Sequence, residues 1–464
     1  MSTLDAVLNR IDSDIDNSIE RLFSLLRIAS ISTDPAYKDN CRKAAEHVAT
    51  DLRSIGFSAE VRPTEGHPVV VGKVKAGTDK APNVLFYGHY DVQPVDPLDL
   101  WKTPPFEPRI DTLPDGRKII VARGACDDKG QAMTFIEACR AFKHVTGSLP
   151  VSITTMIEGE EECGSKHLYG FVRDHADEFK LDLALVCDTA MWDQKTPSVT
   201  TSLRGLVYED VTITASDRDL HSGVFGGAAQ NPIRILTHIL AAMHDDKGRV
   251  TLPGFYDGVD ELPADIAADL KSLNMTEQTF LGPLGLKHSS GEAGRMLIEQ
   301  VTTRPTAEFN GIIGGYTGEG AKTVIPSHAK AKVSFRLVGN QNPEKIRDAF
   351  RDFIRARVPA DCKVEFTGGR GSAGIAFDTA APHIKAAAKA LGEEWGKPAV
   401  LMGCGASIPI VTSFKDALGM DSLLVGYGLD DDRIHSPNEK YNIQSFKKGA
   451  RSWARILAAL GRQG

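Results

Sequence analysis

The run Val84-Leu85-Phe86-Tyr87 carries no charge, lies between Pro82-Asn83 and Gly88, and is followed at once by His89 and Asp91. Four apolar residues in a row, without polar alternation, describe a strand buried on both faces, and such strands belong to the interior of an α/β sheet. Open sheets of that kind bind ligands at the carboxyl ends of their strands. An imidazole leaving such an end, with a carboxylate two residues on, suits a metal ligand oriented by an acid behind it.

The same design recurs. Val151 to Ile157 is a β-branched run that delivers Glu160, Glu161 and Glu162; Leu181 to Val186 delivers Asp188; Ser422 to Gly426 leads into DDDRIHSPNEKY, which contains His435. The segment RGACDDKG places Asp127 and Asp128 at the mouth of a helix expected over about Gln131 to Lys143, where one of the two acids is expected to cap the helix. Five candidate positions, far apart in sequence, thus fall on one edge of one sheet. Neutral imidazole and carboxylate without thiolate match zinc, manganese or cobalt in a hydrolytic site. Two histidines with several acids suffice for two ions about 3.5–4 Å apart that share a carboxylate.

At 464 residues the chain exceeds one ordinary core and divides into two domains. A net charge of −7, with no dense basic run, argues against a nucleic-acid partner. No stretch approaches twenty uninterrupted apolar residues, so no membrane span is expected. The acidic, amphipathic N-terminus does not read as a signal peptide. Seven scattered cysteines without a CxxC read as reduced thiols and point to a cytoplasmic protein.

Helical spacing predicts helices over about Leu4–Ile28 and Asn40–Ile55. Trp101 to Ala122 contains a P-D-G turn signal. Past Ser202–Gly205 the texture changes to β-α-β-β-α-β, a ferredoxin-like unit, interrupted by an irregular insert over Gly248–Arg304. The α/β texture returns near Pro382 and ends in a helix of about Gln444–Leu460. The expected division is 1–205 and 381–464 for an α/β catalytic domain, a mixed sheet flanked by helices, with 206–380 as an inserted ferredoxin-like α+β domain.

Together GHYDVQP, RGACDDKG, EGEEECGS, the Asp188 strand and DDRIHSPNE resemble the M20 family of di-zinc metallopeptidases, and most closely its cytosolic non-specific dipeptidase and carnosine dipeptidase branch. The likeness extends through DLHSGVFGG, TVIPSHAKAKVSFRLV and GASIPI, in family order over nearly the whole chain. It implies that His89 and Asp188 hold one zinc ion, Glu162 and His435 the other, and that Asp127 bridges them; in the family the peptide bond after this aspartate is cis. Asp91 would orient His89, and Glu161 would act as general base. The inserted domain would be a lid and dimerisation element. Its His221 would reach the partner's active site in trans and polarise the scissile carbonyl, while Arg336, with Ser407 beside it, would grip the substrate carboxylate. The implied activity is hydrolysis of small dipeptides by a homodimer. N-acyl-amino-acid deacylation or desuccinylation is the alternative within the hydrolases, and a non-catalytic metal-binding protein the alternative outside them.

Overall fold

A computed structural model describes residues 2–369 and 371–462. The chain forms two compact units: Met1–Thr201 with Phe377–Met402 and Pro409–Gly464, and Ser202–Ala376 with Gly403–Ile408. The second unit is therefore inserted into the first. The short segment Gly403–Ile408, expected with the chain's return to the outer domain, groups with the inserted unit instead. Arg204 is the reason: its Nε donates to the Gly405 carbonyl at 2.7 Å, and its backbone N–H donates to Ala406.

The strands of the outer unit before the insertion are β1 (Ser58–Arg62), β2 (Val69–Val74), β3 (Asn83–His89), β4 (Arg109–Thr112), β5 (Lys118–Val121), β6 (Ser152–Glu158), β7 (Leu183–Val186) and β8 (Ser198–Leu203). The inserted unit contributes β9 (Gly205–Thr214), β10 (Leu220–His221), β11 (Thr306–Gly314), β12 (Val324–Ile325), β13 (His328–Leu337), β14 (Lys363–Gly368) and β15 (Ile375–Ala376). On the return come β16 (Val400–Cys404), β17 (Ser422–Leu424) and β18 (Lys440–Asn442).

In the outer unit the strands run in the order β1-β2-β6-β3-β7-β17-β8. β6, β3, β7 and β17 are neighbours and mutually parallel, while β1, β2 and β8 pair antiparallel. The sheet is mixed, as expected, and its parallel centre is the part that reads as apolar without alternation. Residues Val84 to His89 of β3 are all buried. Behind β3, Phe86 stacks on Phe135 with ring centroids 3.7 Å apart, and Trp453 meets both edge-on. Those two partners come from the helices Lys129–Thr146 and Ile443–Leu460, whose buried faces join the same core. Aromatic pairs in this geometry add about 0.5–1.5 kcal/mol beyond the area they bury.

Two local expectations change. The first helix is two, Thr3–Ser13 and Ile15–Leu26, broken at Asp14. The Asp14 carboxylate accepts from Arg10, Asn17 and Arg21, so its side chain serves the turn between the helices. The insert 248–304 is partly helical, with Ala264–Ser272, Glu277–Phe280 and Leu297–Thr302, and a buried pair of Arg304 with Glu292 at 2.8 Å ties it down.

The inserted unit is an antiparallel sheet ordered β11-β13-β9-β14, with the helices Pro232–Ala241 and Pro343–Arg355 packed on it. In chain order this is β-α-β-β-α-β, and the strand order is that of a ferredoxin-like fold. Burial alternates strictly along β9 and β13, so one face is core and the other is not.

Candidate active site

β6, β3, β7 and β17 end side by side, and each is followed by residues singled out above. His89 is the last residue of β3 and is fully buried. β6 ends at Glu158, and Glu161 to Cys163 then form a single 3-10 turn. Asp188 follows β7 by two residues. The loop after β17 carries His435, and β18 brings that loop back: it pairs antiparallel with β5, which leads into the Arg123–Asp127 segment. A hairpin-like contact between segments about 320 residues apart thus sets Asp127 beside His435.

The donor atoms fall into two groups. His89 Nε2 lies 3.1 Å from Asp127 Oδ1 and 4.0 Å from Asp188 Oδ2. His435 Nε2 lies 3.0 Å from Asp127 Oδ2 and 3.2 Å from Glu162 Oε2. Within each group the ligand atoms lie within 4.8 Å of one another, and Asp127 belongs to both, one oxygen to each side. Glu161 belongs to neither. The Asp127–Asp128 peptide bond is cis.

Burial and the acids around it push Glu161 well above the usual carboxylate range, against the pull of His89. Burial, then Asp127, pushes Asp188 up to about 7. Asp127 falls below its ordinary range despite burial, because both histidines donate to it. Hydrogen bonds to Asp127 and Glu162 raise His435 to about 10, and His89 is raised too, its acid partners outweighing desolvation. Four carboxylates this close need positive charge among them, and the two histidines are the cationic partners that the chain itself offers. Dications at the same donors supply it more completely. Two nitrogen-oxygen donor groups of three, free of sulfur, fit a pair of divalent metals.

Residues beyond the ligating atoms hold the cluster. Asp91 has two tasks. Its carbonyl oxygen lies 3.1 Å and its carboxylate 3.3 Å from His89 Nδ1, and the two carboxylate oxygens accept the backbone N–H groups of Glu161 and Glu162 at 3.3 and 3.1 Å. One buried residue thereby orients an imidazole and fixes the turn that carries two glutamates. Gln93 donates to Glu162 Oε2 at 2.8 Å. Glu439, buried, accepts from the backbone N–H groups of Gly124, Cys126 and Asp127 at 3.0, 2.9 and 3.1 Å, and from Arg123 Nη1 at 3.0 Å. Arg123 Nη2 in turn donates to the Pro94 carbonyl. The loop of His435 holds three non-glycine residues in the left-handed region, Arg433, His435 and Asn438, at φ 57°, 63° and 63°. Each costs roughly 1–2 kcal/mol, offset by Asp432, which accepts from the Leu429 N–H at 2.7 Å and from Lys440 Nζ at 2.6 Å.

The expected capping of the helix Lys129–Thr146 by an aspartate is absent: Asp128 stands at its N-cap without a side-chain cap bond. Its Oδ2 accepts the His89 N–H instead, at 3.1 Å, so the acid holds the end of β3. Glu439, Gln93, Asp432 and Arg123 went unassigned in the sequence. Gln93 and Glu439 stand inside GHYDVQP and HSPNEKY, so their presence in the motifs was the available signal.

In the inserted unit, His221 is exposed and precedes the short helix Ser222–Phe225. Its Nδ1 accepts the Gly223 N–H at 3.0 Å, which leaves Nε2 as the protonated nitrogen of the neutral ring. Arg336 lies near the end of β13, and its Nη1 donates to Ser407 Oγ at 2.9 Å. Among the described residues no helix is long and apolar enough to cross a membrane.

Known proteins resemble the chain over nearly all of its length. The chain is 30% identical to the Cys-Gly metallodipeptidase dug1 of Schizosaccharomyces pombe, over 96% of each. The structure matches that of the dipeptidase Dug1p of Saccharomyces cerevisiae with a TM-score of 0.87 at 30% identity, covering 100% of this chain and 99% of that one. It matches human carnosine dipeptidase 1 with a TM-score of 0.85 at 26% identity, over 100% and 99%. Residues 85–459, from the middle of β3 to the last turn of the final helix, match the profile of peptidase family M20/M25/M40. With that match spanning every strand end that builds the cluster, the chain belongs to this family of metallopeptidases.

Proposed function

We propose that the protein is a metal-dependent dipeptidase that hydrolyses the amide bond of small dipeptides. His89 and Asp188 would hold one divalent ion, Glu162 and His435 the other, with Asp127 available to both. The observation that carries this reading is the division of the Asp127 carboxylate between two donor groups, with Glu161 adjacent to them and committed to neither. The chemistry that two ions supply at such donors is activation of water and polarisation of the scissile carbonyl. Glu161 takes the proton from the water and returns it to the leaving amine. Asp91 keeps that base in place through the backbone of its turn. His221 presents Nε2–H to the carbonyl oxygen as charge develops on it, and Arg336, with Ser407, holds the free carboxylate of the substrate. Zinc suits the donors, with manganese or cobalt as substitutes.

We place His221 in the active site of a partner protomer. The open edge of the inserted sheet supports a homodimer: β11 is an outer strand that leaves Phe309, Ile312 and Ile313 exposed, a pairing surface that proteins otherwise cover or charge. Seven free cysteines favour the reducing cytoplasm.

The experiment is a substrate panel on metal-reconstituted protein, with Cys-Gly and β-Ala-His dipeptides beside N-acetyl and N-succinyl amino acids. Dipeptides are expected to turn over and acylated amino acids to lag. Reversal of that order would favour the deacylase reading, and failure on every amide would leave a non-catalytic metal-binding protein.

A further inference from the structure

β6 ends in a carboxylate to which the catalytic reading gives no task. Glu158 is buried at 1% exposure, and its Oε1 accepts two hydrogen bonds, from Tyr87 Oη at 2.6 Å and from Ser165 Oγ at 2.9 Å. Both donors are buried as well. Tyr87 stands on β3, two residues before His89, with its ring set edge-on to Phe414 at 5.9 Å, so it is a fixed point in the sheet. Ser165 belongs to the loop that carries Glu161 and Glu162. A carboxylate taken out of water is costly unless its hydrogen bonds repay it, and this one spends them on a strand and on that loop.

Ser165 closes the turn. Its N–H donates to the Glu160 carbonyl at 2.7 Å, and the Gly164 N–H donates to the Glu161 carbonyl at 2.9 Å. Both residues lie in the left-handed region, at φ 49° and 91°, which glycine adopts freely and serine does not. The Ser165 hydroxyl ties the end of this turn to the strand from which the turn departs. At its start, Asp91 holds the N–H groups of Glu161 and Glu162. The loop is thus anchored at both ends by buried carboxylates, with Glu161 between them. A displacement of about 1 Å at a reacting group can cost on the order of 10²-fold in rate.

We propose that Glu158 is a positioning residue for the general base Glu161, acting through Ser165 Oγ, with Tyr87 fixing the direction of the Glu158 carboxylate. The inference rests on Glu161 as the base of the dipeptidase reading. It adds that the base is placed by two anchors, and that the second of them touches neither substrate nor metal.

The test combines Ser165→Ala with Glu161→Gln on metal-loaded protein, reading kcat, KM and bound metal with one dipeptide. Ser165→Ala removes the tether and is expected to lower kcat about ten-fold, with KM and metal content at the wild-type level. In the Glu161→Gln background the same change is expected to have no further effect, because the group it positions is gone. A merely structural serine would lower kcat by the same factor in both backgrounds. That result, or an unchanged kcat for Ser165→Ala alone, overturns the proposal. Glu158→Leu removes the anchor and is expected to match Ser165→Ala, whereas Glu158→Gln keeps an oxygen for Tyr87 and Ser165 and is expected to recover most of the loss. Equal losses for the two would refute the hydrogen bond as the means. If Ser165→Ala fails to fold, Ser165→Gly, at ease in the left-handed region, takes its place. Wild-type turnover in Glu161→Gln would remove the base reading and this inference with it, while a Glu161→Gln enzyme without turnover, joined to a Ser165→Ala enzyme of full activity, would refute only the tether.

Discussion

The chemistry of the cluster depends on which atoms of each acid are already committed. Glu161→Gln removes the proposed proton acceptor and leaves both donor groups intact, so metal content is expected to stay at the wild-type level while turnover falls about 10²–10⁴-fold. Metal analysis with steady-state kinetics checks both halves, and loss of metal would make Glu161 a ligand. Glu439 touches no ligand side chain, yet its carboxylate gathers the N–H groups of the loop that presents Asp127. Glu439→Gln places an amide N–H₂ against those donors, and metal affinity is expected to drop about 10–100-fold, measured by competition with a chelator. The sequence made His89, Asp127, Glu162, Asp188 and His435 visible because each sits in a short motif of ligand chemistry. It hid the double duty of Asp91 and the aim of Asp128. Those depend on which backbone N–H lies nearby, and hydrogen bonds between distant segments leave no periodic trace.

Among the elements, the parallel centre of the outer sheet was legible and the edges less so. Charge-free runs such as Val84–Tyr87 announce burial on both faces, whereas the position of β17 between β7 and β8 follows only from long-range pairing. The break at Asp14 escaped for another reason: the apolar spacing continues across it, and only the Arg10 and Arg21 contacts reveal a turn. At the edge, Arg62 of β1 holds Glu178 through two bonds of 2.8 and 2.9 Å, and Lys73 of β2 adds a third contact at 2.6 Å. Arg62 and then Lys73 depress Glu178 to about 2, outweighing its partial burial. A carboxyl lowered on folding stabilises above its unfolded pKa, near 4.5, and that stability is lost as pH falls from there through about 2. Both partners are about a quarter exposed, so the contribution is near the upper end of the surface range, about 1 kcal/mol. Glu178→Gln is expected to lower the melting temperature at pH 7 and to narrow the gap from wild type toward pH 2.5. A difference that persists in acid would assign the loss to packing instead.

For the whole molecule, the test of assembly is whether two damaged chains make one working site. Mixing His221→Ala with Glu161→Gln protein is expected to restore activity in the heterodimers whose site draws His221 from one protomer and Glu161 from the other. No recovery, with heterodimers demonstrated by mass spectrometry, would place His221 in its own protomer's site or outside catalysis. In the proposed homodimer Ile312→Lys puts a charge on the exposed edge of the inserted sheet and is expected to shift it toward monomer in sedimentation, with activity falling in parallel; a wild-type chain that sediments as a monomer would remove the dimer. A dimer of unchanged stability would move the interface elsewhere.

The placement of β17 and β18 has a consequence for biosynthesis. The central sheet is completed by a strand encoded after the whole inserted unit, and Asp127 meets His435 only once the β5–β18 pairing has closed. During translation the first 201 residues emerge with β7 unpaired on one side and one donor group missing its histidine. A nascent chain of that length carries His89, Asp127, Glu162 and Asp188 without the histidine of the second donor group. A chain ended before residue 435 is therefore expected to keep one donor group and lose the other, which metal analysis of a truncation after residue 430 would read as a lower metal content.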